Sequence, residues 1–201
     1  MSIEENSTLE KKDFGIKGFL FEIFDLLVYA LIILSITYII LGFVEQRTDV
    51  EGSSMNITLN DKDSVFVDKI SYRFKDPERY DIVVFKFLHA DDTYYIKRII
   101  GLPGETVQII DGKVYINGQM LTDDNYGYAD IDRPERAVNP ITLGEGEYFV
   151  MGDNRNGSTD SRFSSVGNVQ REQIVGRAFM RIWPLNQIKF LKKDINNRPQ
   201  E

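Results

Sequence analysis

The chain has 201 residues, a net charge of −7 and a pI of about 4.9, so it lacks the basic character that a nucleic-acid partner requires. It contains no cysteine, which excludes disulfides, thiolate metal ligands and a cysteine nucleophile. The lone histidine, His89, lies in a polar stretch and is predicted to be a solvated surface residue, so we expect no metal and no other cofactor.

The first predicted element is a membrane-spanning helix. Residues 26–44 form a run of 19 residues without a charge, and a helix of that length, about 28 Å, matches the thickness of a bilayer core. The run is apolar on every face, which favours a bilayer over the core of a soluble protein. A cleaved signal peptide is the other alternative, but the run is long for one and no small-x-small site follows it. We therefore predict a retained anchor over residues 26–44.

The charges that flank this run predict its orientation. Lys11, Lys12 and Lys17 precede it, whereas only Arg47 follows it closely. Lysine and arginine favour the cytoplasmic side of a membrane. Residues 1–25 are therefore predicted to form a cytoplasmic segment, and the chain from residue 45 onwards is predicted to lie outside.

The next part of the chain predicts a mostly β, antiparallel domain, sheet-like or barrel-like, over residues 45–191. Short runs rich in β-branched and aromatic residues are separated by turn signals; they are SVFVDKI, DIVVFKFL, YYIKRIIG, TVQII, KVYING and EYFVMG. Asp111-Gly112 and Asn117-Gly118 are hairpin signals, so residues 105–121 should form a meander.

Three stretches do not follow the strand pattern. Residues 71–79 are compatible with one turn of helix before Pro77. Residues 122–142 are polar and irregular, which indicates a loop or a small insertion within the β domain. Residues 192–201 are predicted to form a polar tail.

The segment VEGSSMNITL, residues 50–59, raises the question of how a serine there could react. A serine hydroxyl is a weak nucleophile until a base takes its proton, and no catalytic motif surrounds His89. A neutral lysine could act as the base instead. An ordinary lysine amine is neutral in roughly one molecule in 2,500 at pH 7, but burial lowers its pKa by up to about 3–5 units.

Two lysines are candidates for that base. Lys97, in YYIKRII, is flanked on its own strand face by Tyr95 and Ile99, and Lys86, in VVFKFL, is flanked by apolar residues in the same way. The alternative for Lys97 is an edge-strand charge whose ammonium group lies in water. The residues alone leave these possibilities open.

Four stretches occur in order behind the predicted anchor. They are GSSM at 52–55 with Thr58 and Leu59; DSVFV at 63–67; YDIVVF at 80–85 with IKRIIGLPG at 96–104; and MGDNR at 151–155 with Ser158, Asp160, Ser161 and Arg162. Together they resemble the motifs of the type I signal peptidases, which are membrane-bound serine proteases with a Ser/Lys dyad. The four matches in one order, spanning residues 50–162, make this resemblance specific.

The resemblance implies catalytic roles for individual residues. Ser54, and not Ser53, would be the nucleophile, and Lys97 rather than Lys86 would be its general base. The backbone N–H of Ser54, with help from the Gly52 loop, would stabilise the oxyanion.

Supporting roles are implied in the same way. Ser158 would hydrogen-bond the Lys97 amine and orient it, and Asp160 and Arg162 would form a structural pair that holds their loop. Shallow apolar sites for the small residues before the cut would be lined by Val50, Met55, Leu59, Tyr95 and Ile96.

The sequence departs from the family pattern at one motif position. The family usually has Ser-Met-x-Pro-Thr-Leu, and Ile57 takes the place of the proline. Proline fixes φ near −65°, so its loss puts the rigidity of the loop after the nucleophile in doubt, although no catalytic group is lost. Gly52 stands where some members carry a serine, as in the compact Gram-positive type.

The resemblance also implies substrates, partners and a location. The substrates would be the signal peptides of exported preproteins, cut after small-x-small (Ala-x-Ala) sites. The substrate would lie as an added strand along the sheet edge. The lipid bilayer and the protein-export machinery are the expected partners, and the location would be a bacterial cell membrane, with a single pass and an extracytoplasmic catalytic domain.

Two other functions remain as alternatives. A self-cleaving repressor also uses a Ser/Lys pair, but such proteins are soluble and carry a DNA-binding module, which the anchor and the acidic remainder argue against. A membrane-tethered domain that binds exported chains with a decayed site is the second alternative. Ile57 is the one hint of decay, and both proposed catalytic residues are present.

Overall fold

The computed structural model describes residues 16–44, 47–90 and 92–191. The chain forms two compact units, residues 1–42 and residues 43–201. Of the features used to predict the orientation, Lys11 and Lys12 lie outside the described residues. The predicted tail, residues 192–201, also lies outside them.

The first unit contains one long apolar helix, α1 (Ile16–Val44), of 29 residues. Its stretch Gly18–Tyr38 has a mean hydropathy of 2.3 and is exposed throughout, so it is long and apolar enough to cross a membrane. The helix ends where the predicted run ends but begins at Ile16 rather than Leu26. The earlier start places Glu22 and Asp25 inside the helix, and residues 16–25 contain no proline that would end it.

The second unit is built from antiparallel strands. Their bounds are β1 (Arg47–Asp49), β2 (Ser64–Asp68), β3 (Ile82–Lys86), β4 (Tyr94–Gly101), β5 (Thr106–Ile110), β6 (Lys113–Ile116), β7 (Gln119–Met120), β8 (Ile141–Thr142), β9 (Glu147–Met151), β10 (Val169–Gln170), β11 (Ile174–Trp183) and β12 (Lys189–Phe190). One sheet has the order β1-β2-β11-β3-β4-β9-β10, with β12 paired to β11; the other has the order β7-β6-β5-β8. The predicted antiparallel β fold is confirmed.

The hairpin signals fold as predicted. The strands β5, β6 and β7 form an antiparallel meander. Asp111 and Gly112, at φ 49° and 76°, and Asn117 and Gly118, at φ 52° and 78°, make its two turns. Two consecutive positive φ angles are the geometry of the type I′ turn, which matches the twist of the paired strands. The predicted helical turn is also present, as a 3₁₀ helix at Ser71–Arg73.

The longest strand, β11, was not predicted. It lies between β2 and β3 in the larger sheet. Arg177 and Arg181 interrupt its apolar pattern, and Gly176 reads as a turn signal. Gly176 is instead a point of close approach, since a Cβ there would lie 2.6 Å from the Asp68 carbonyl oxygen on β2. Trp183, at the end of β11, is half exposed and therefore is not a core residue.

Two apolar clusters on opposite faces of the larger sheet fix β4. One cluster contains Val84 of β3 together with apolar residues of the serine segment, residues 50–59, and Ile96 of β4 packs against it. The members from the serine segment are Val50, Met55 and Leu59. The other cluster contains Ile99 of β4. Complete burial of side chains of this size stabilises the fold by about 1.5–3 kcal/mol each. The packing therefore fixes the serine segment and β4 in one rigid frame.

The segment 122–142, predicted to be a loop or a small insertion, contains some regular structure. It contains a 3₁₀ helix at Glu135–Val138 and the short strand β8, and its Ile131 and Ala137 are buried in an apolar cluster with β5 and β6. Three of its residues bond to the loop that follows β9: Asp124 to Arg155, Tyr128 to Asn154, and Asp132 to Asn156. The predicted insertion is thus part of the packed domain.

Candidate active site

A tight loop between β1 and β2 presents Ser54. Backbone hydrogen bonds from Val50 N–H to the Asp63 carbonyl (2.7 Å) and from Lys62 N–H to the Val50 carbonyl (2.8 Å) close the ends of this loop. Met55 and Leu59 are completely buried beneath it and anchor it to the core. Ser54, one residue before the first anchor, is left partly exposed.

Lys97 lies on β4 opposite Ser54. Its side chain is buried, with 5% exposed, and its Nζ donates hydrogen bonds to Ser54 Oγ at 2.8 Å and to the Ile96 carbonyl at 3.0 Å. The Tyr95 ring covers it, with 5.1 Å from Nζ to the ring centroid. Lys86, the other candidate from the sequence, ends β3 on the exposed surface. The geometry therefore brings Lys97, and not Lys86, to the serine.

The surroundings of the Lys97 amine favour its neutral form. Burial lowers the pKa of Lys97 to about 8, although the negative charges of Asp160 and Asp153 act in the opposite direction. Burial has the larger effect on this pKa because removing an ammonium group from water costs free energy. The amine can therefore be neutral in a substantial fraction of molecules near neutral pH.

The loop after β9 supports this pair through buried charges. Asp160 and Arg162 form an ion pair at 2.8 Å, with both side chains at most 1% exposed. Asp160 also accepts a hydrogen bond from Gly152 N–H (3.0 Å), and Arg162 donates to the carbonyls of Arg155 and Ser158. This network fixes the loop that passes behind Ser54 and Lys97.

A second buried ion pair links this loop to β4. Arg98 Nε and Nη2 lie 2.8 and 2.6 Å from the two carboxylate oxygens of Asp153, and the Thr58 hydroxyl donates to the same carboxylate. Tyr126 stacks on the Arg98 guanidinium, 3.6 Å from it to the ring centroid. No role was predicted for these residues from the sequence. The available signal was Arg98, a charged residue that follows Lys97 and lies on the opposite face of the strand.

One predicted supporting contact, between Ser158 and Lys97, is absent. The Ser158 hydroxyl is buried and has no hydrogen-bond partner among the described residues, so its predicted bond to Lys97 is wrong here. The reason is that Lys97 extends to Ser54 and the Ile96 carbonyl instead. The Gly52 N–H donates to Asp61 Oδ1 (2.8 Å), and the predicted help of the Gly52 loop to the oxyanion stays a prediction.

A cleft of about 470 Å³ runs from Ser54 and Lys97 along the serine segment and β4. Of the predicted substrate-binding residues, Val50, Tyr95 and Ile96 line it. Met55 and Leu59 do not, because the turn that follows Ser54 directs both into the core. The cleft also has lining residues that were not predicted from the sequence, among them Val84, Gly157 and Thr159. Val84 could have been found, since strand pairing places it opposite Ile96.

The edge of β4 beside the cleft is unpaired. On one side β4 pairs with β3 from Tyr94 to Arg98, but on the other side its pairing with β9 begins only at Arg98. Residues 94–97 therefore have no strand neighbour on that side among the described strands. Main-chain groups at such an edge can bind an extended peptide as an added strand.

Comparisons with known proteins show the family of this chain. The model of a family described as signal peptidase, peptidase S26, matches residues 21–183. The chain is 43% identical over 164 residues to a probable signal peptidase I-2 of Synechocystis, covering 79% of this chain and 72% of that protein. It is 34% identical over 191 residues to signal peptidase I of Bacillus licheniformis, covering 90% and 97%. With signal peptidase I S of Bacillus subtilis the identity is 36% over 159 residues, covering 75% and 84%. The chain therefore belongs to the signal peptidase family, peptidase S26, whose members are peptidases that remove signal peptides from preproteins.

Proposed function

We propose that this protein is a membrane-anchored serine endopeptidase that cuts preproteins after small-x-small (Ala-x-Ala) sites, with Ser54 as nucleophile and neutral Lys97 as general base. One observation carries the proposal: a buried lysine amine lies 2.8 Å from a serine hydroxyl at the end of an open cleft. Family membership supports the general activity.

The first chemical step follows from that distance. When Lys97 is neutral, its lone pair accepts the Ser54 proton as Oγ attacks the scissile carbonyl carbon. The carbonyl oxygen becomes an oxyanion, for which the Ser54 backbone N–H is the proposed donor. The Lys97 ammonium then gives its proton to the leaving amine, and the C–N bond breaks to leave an acyl-enzyme on Ser54.

The second step regenerates the enzyme. Lys97 is neutral again and takes a proton from a water molecule, which attacks the ester carbonyl. The collapse of this second tetrahedral intermediate returns the proton to Ser54 Oγ and releases the signal peptide with a new carboxyl terminus. No metal or cofactor enters either step.

The cleft supports selection of small residues before the cut. Val50, Tyr95 and Ile96 present an apolar, shallow surface next to the reacting pair, and the unpaired edge of β4 supplies main-chain groups for an extended substrate. Alanine fits such a surface, whereas a larger side chain would meet the rigid core behind it.

The proposed location rests on α1. We propose that α1 is a single-pass anchor in a bacterial cell membrane, with the N-terminus cytoplasmic and the β domain extracytoplasmic. Its length and apolar surface support a membrane span, and the flanking lysines support the orientation. The lipid bilayer and the protein-export machinery are the proposed partners.

The test is cleavage of a defined precursor by the purified protein in detergent. The precursor carries an Ala-x-Ala segment, and mass spectrometry identifies the new N-terminus. Ser54→Ala and Lys97→Ala are each expected to reduce the rate by at least about 1,000-fold, while both variants still bind the precursor. A Lys86→Ala variant is the matched control and should retain the activity.

Two results would contradict the proposal. Cleavage by Lys97→Ala at the wild-type rate would remove the proposed base. Binding of the precursor without cleavage by the wild-type protein, under conditions in which the fold is intact, would favour a chain-binding domain with a decayed site instead.

A further inference from the structure

The peptide group between Ser53 and Ser54 holds the proposed oxyanion donor. A peptide unit is planar and trans, so its C=O and its N–H point in opposite directions. The direction of the Ser54 N–H is therefore fixed by whatever holds the Ser53 carbonyl. This inference rests on the proposed function of Ser54.

Asn154 is one of two groups that hold that carbonyl; the other is the Asn56 N–H, which donates to it at 3.1 Å. The Asn154 side-chain Nδ2 donates to the Ser53 carbonyl at 3.1 Å, and the Asn154 backbone N–H donates to the Ser54 carbonyl at 3.1 Å. Asn154 thus bonds to both carbonyls that flank the nucleophile. A hydrogen bond to the carbonyl also polarises the peptide group, which strengthens its N–H as a donor.

The orientation of the Asn154 amide is set from its other end. Its Oδ1 accepts a hydrogen bond from the Tyr128 hydroxyl at 2.9 Å and another from Gly157 N–H at 3.1 Å. With two donors on Oδ1, the NH₂ group must face Ser53. Tyr128 belongs to the 122–142 segment, which is otherwise remote from the reacting pair.

The same segment is tied firmly to the loop after β9. The Asn156 side chain donates to the Asp130 carbonyl (2.9 Å) and accepts from Asp132 N–H (3.0 Å), and Asp124 pairs with the buried Arg155. Tyr128 is therefore presented from a fixed support, although its own side chain is 56% exposed.

We infer that Asn154, oriented by Tyr128, is a positioning residue that aims the Ser54 N–H at the oxyanion. Tyr128→Phe removes one neutral hydrogen bond and is expected to lower kcat about threefold to tenfold. Asn154→Ala is expected to lower kcat more, by about tenfold to a hundredfold, the range for a weakened oxyanion donor. KM should change less than about twofold in both, because the contact acts on the transition state.

The decisive experiment is a double-mutant cycle of these two substitutions in the full-length protein, with kcat, KM and the pH profile measured on the Ala-x-Ala precursor. Because Tyr128 acts through Asn154, Tyr128→Phe should have no further effect in the Asn154→Ala background. The midpoint of the pH profile should stay at its wild-type value, since the base is untouched. Tyr115→Phe on β6 and the exposed Asn139→Asp are matched controls and should retain kcat.

The inference is overturned if Tyr128→Phe retains kcat, if either loss appears in KM alone, or if the Tyr128→Phe effect is equally large in the Asn154→Ala background. Ser54→Ala, assayed in parallel, distinguishes a failure of the positioning role of Asn154 from a failure of the proposed nucleophile. An inactive Ser54→Ala with a fully active Asn154→Ala overturns only the positioning role. A Ser54→Ala as active as wild type overturns the proposed nucleophile and this role together.

Discussion

Under the proposed function, Lys97 is the residue whose protonation state controls the reaction. Burial favours its neutral form, the charges of Asp160 and Asp153 favour the ammonium form, and burial prevails. The two carboxylates are each held by an arginine, Arg162 and Arg98, which weakens their pull on the lysine. These paired carboxylates therefore leave Lys97 able to act as a base.

The pH dependence of cleavage should report this amine. The pKa of Lys97 is about 8, and the neutral form is the active one, so kcat/KM should rise about tenfold per pH unit below that value and level off above it. The measurement is precursor cleavage across about pH 6 to pH 10 in buffers of constant ionic strength. A rate that does not change across this range would contradict a lysine base.

The buried Lys97 amine should lower the free energy of unfolding of the protein. The unfolded chain binds the Lys97 proton up to a pKa near 10.5, whereas the folded chain releases it near 8. Stability therefore rises with pH between these values, and below them the cost is about 3 kcal/mol. Lys97→Met should be more stable than wild type by up to that amount at neutral pH, with the difference shrinking as pH rises through the window.

Urea unfolding at several pH values checks this prediction. The Lys86→Met variant controls for the loss of a positive charge and should show no such pH-dependent gain. Equal stability of Lys97→Met and wild type at pH 7 would mean that the Lys97 amine is not held in an environment that disfavours its charge.

At the scale of single residues, the sequence predicts which serine and lysine come together, but not their other contacts. Ser54 and Lys97 are marked by motifs, because chemistry limits which residue can stand there. The Ser158 contact was wrong, since the rotamer of Lys97 depends on how β3, β4 and the loop after β9 pack. Met55 and Leu59 show the same limit: a turn directs them into the core, and residue type alone does not show which side of a turn faces the cleft.

At the scale of elements, the 122–142 segment stabilises the site through charge. Arg155 is buried against Asp124, with both side chains at most 6% exposed. Asp124→Asn leaves a buried guanidinium without its counter-charge and should destabilise the protein by about 3 kcal/mol or more. Thermal or urea unfolding measures the loss.

The chain provides a matched control for this prediction. Asp130, in the same segment, pairs with Lys113, but both side chains are more than half exposed. Asp130→Asn should therefore cost less than about 1 kcal/mol. Equal costs for the two substitutions would show that the segment is not held by its buried charge.

Strand prediction from the sequence succeeded where runs rich in β-branched and aromatic residues lie between turn signals. The strands β2 to β6 and β9 follow such runs, and the meander follows its Asp-Gly and Asn-Gly turns. The strand β11 was missed because arginines on one face and Gly176 interrupt its pattern, although its neighbours in the sheet require it. The pairing of β11 with β2 and β3 joins residues that are far apart in the sequence, so a local pattern does not predict it.

At the scale of the whole molecule, the lack of cysteine makes the orientation testable. Gln119→Cys places a single thiol on the exposed strand β7, and Ser2→Cys places one near the N-terminus. With the N-terminus cytoplasmic, a membrane-impermeant maleimide should label the former in intact cells and the latter only after permeabilisation. The reverse pattern would invert the proposed orientation.

The unpaired edge of β4 beside Lys97 requires that a substrate be extended before it is cut. A helix or a folded domain already uses its own backbone N–H and C=O groups, so it has none to offer this edge. Under the proposed function, the junction must therefore unwind before it can be cut. An exported domain that folds stably over its junction before the cut would therefore be cleaved slowly. A domain that folds later would leave the junction extended, and it would be cleaved before it folds.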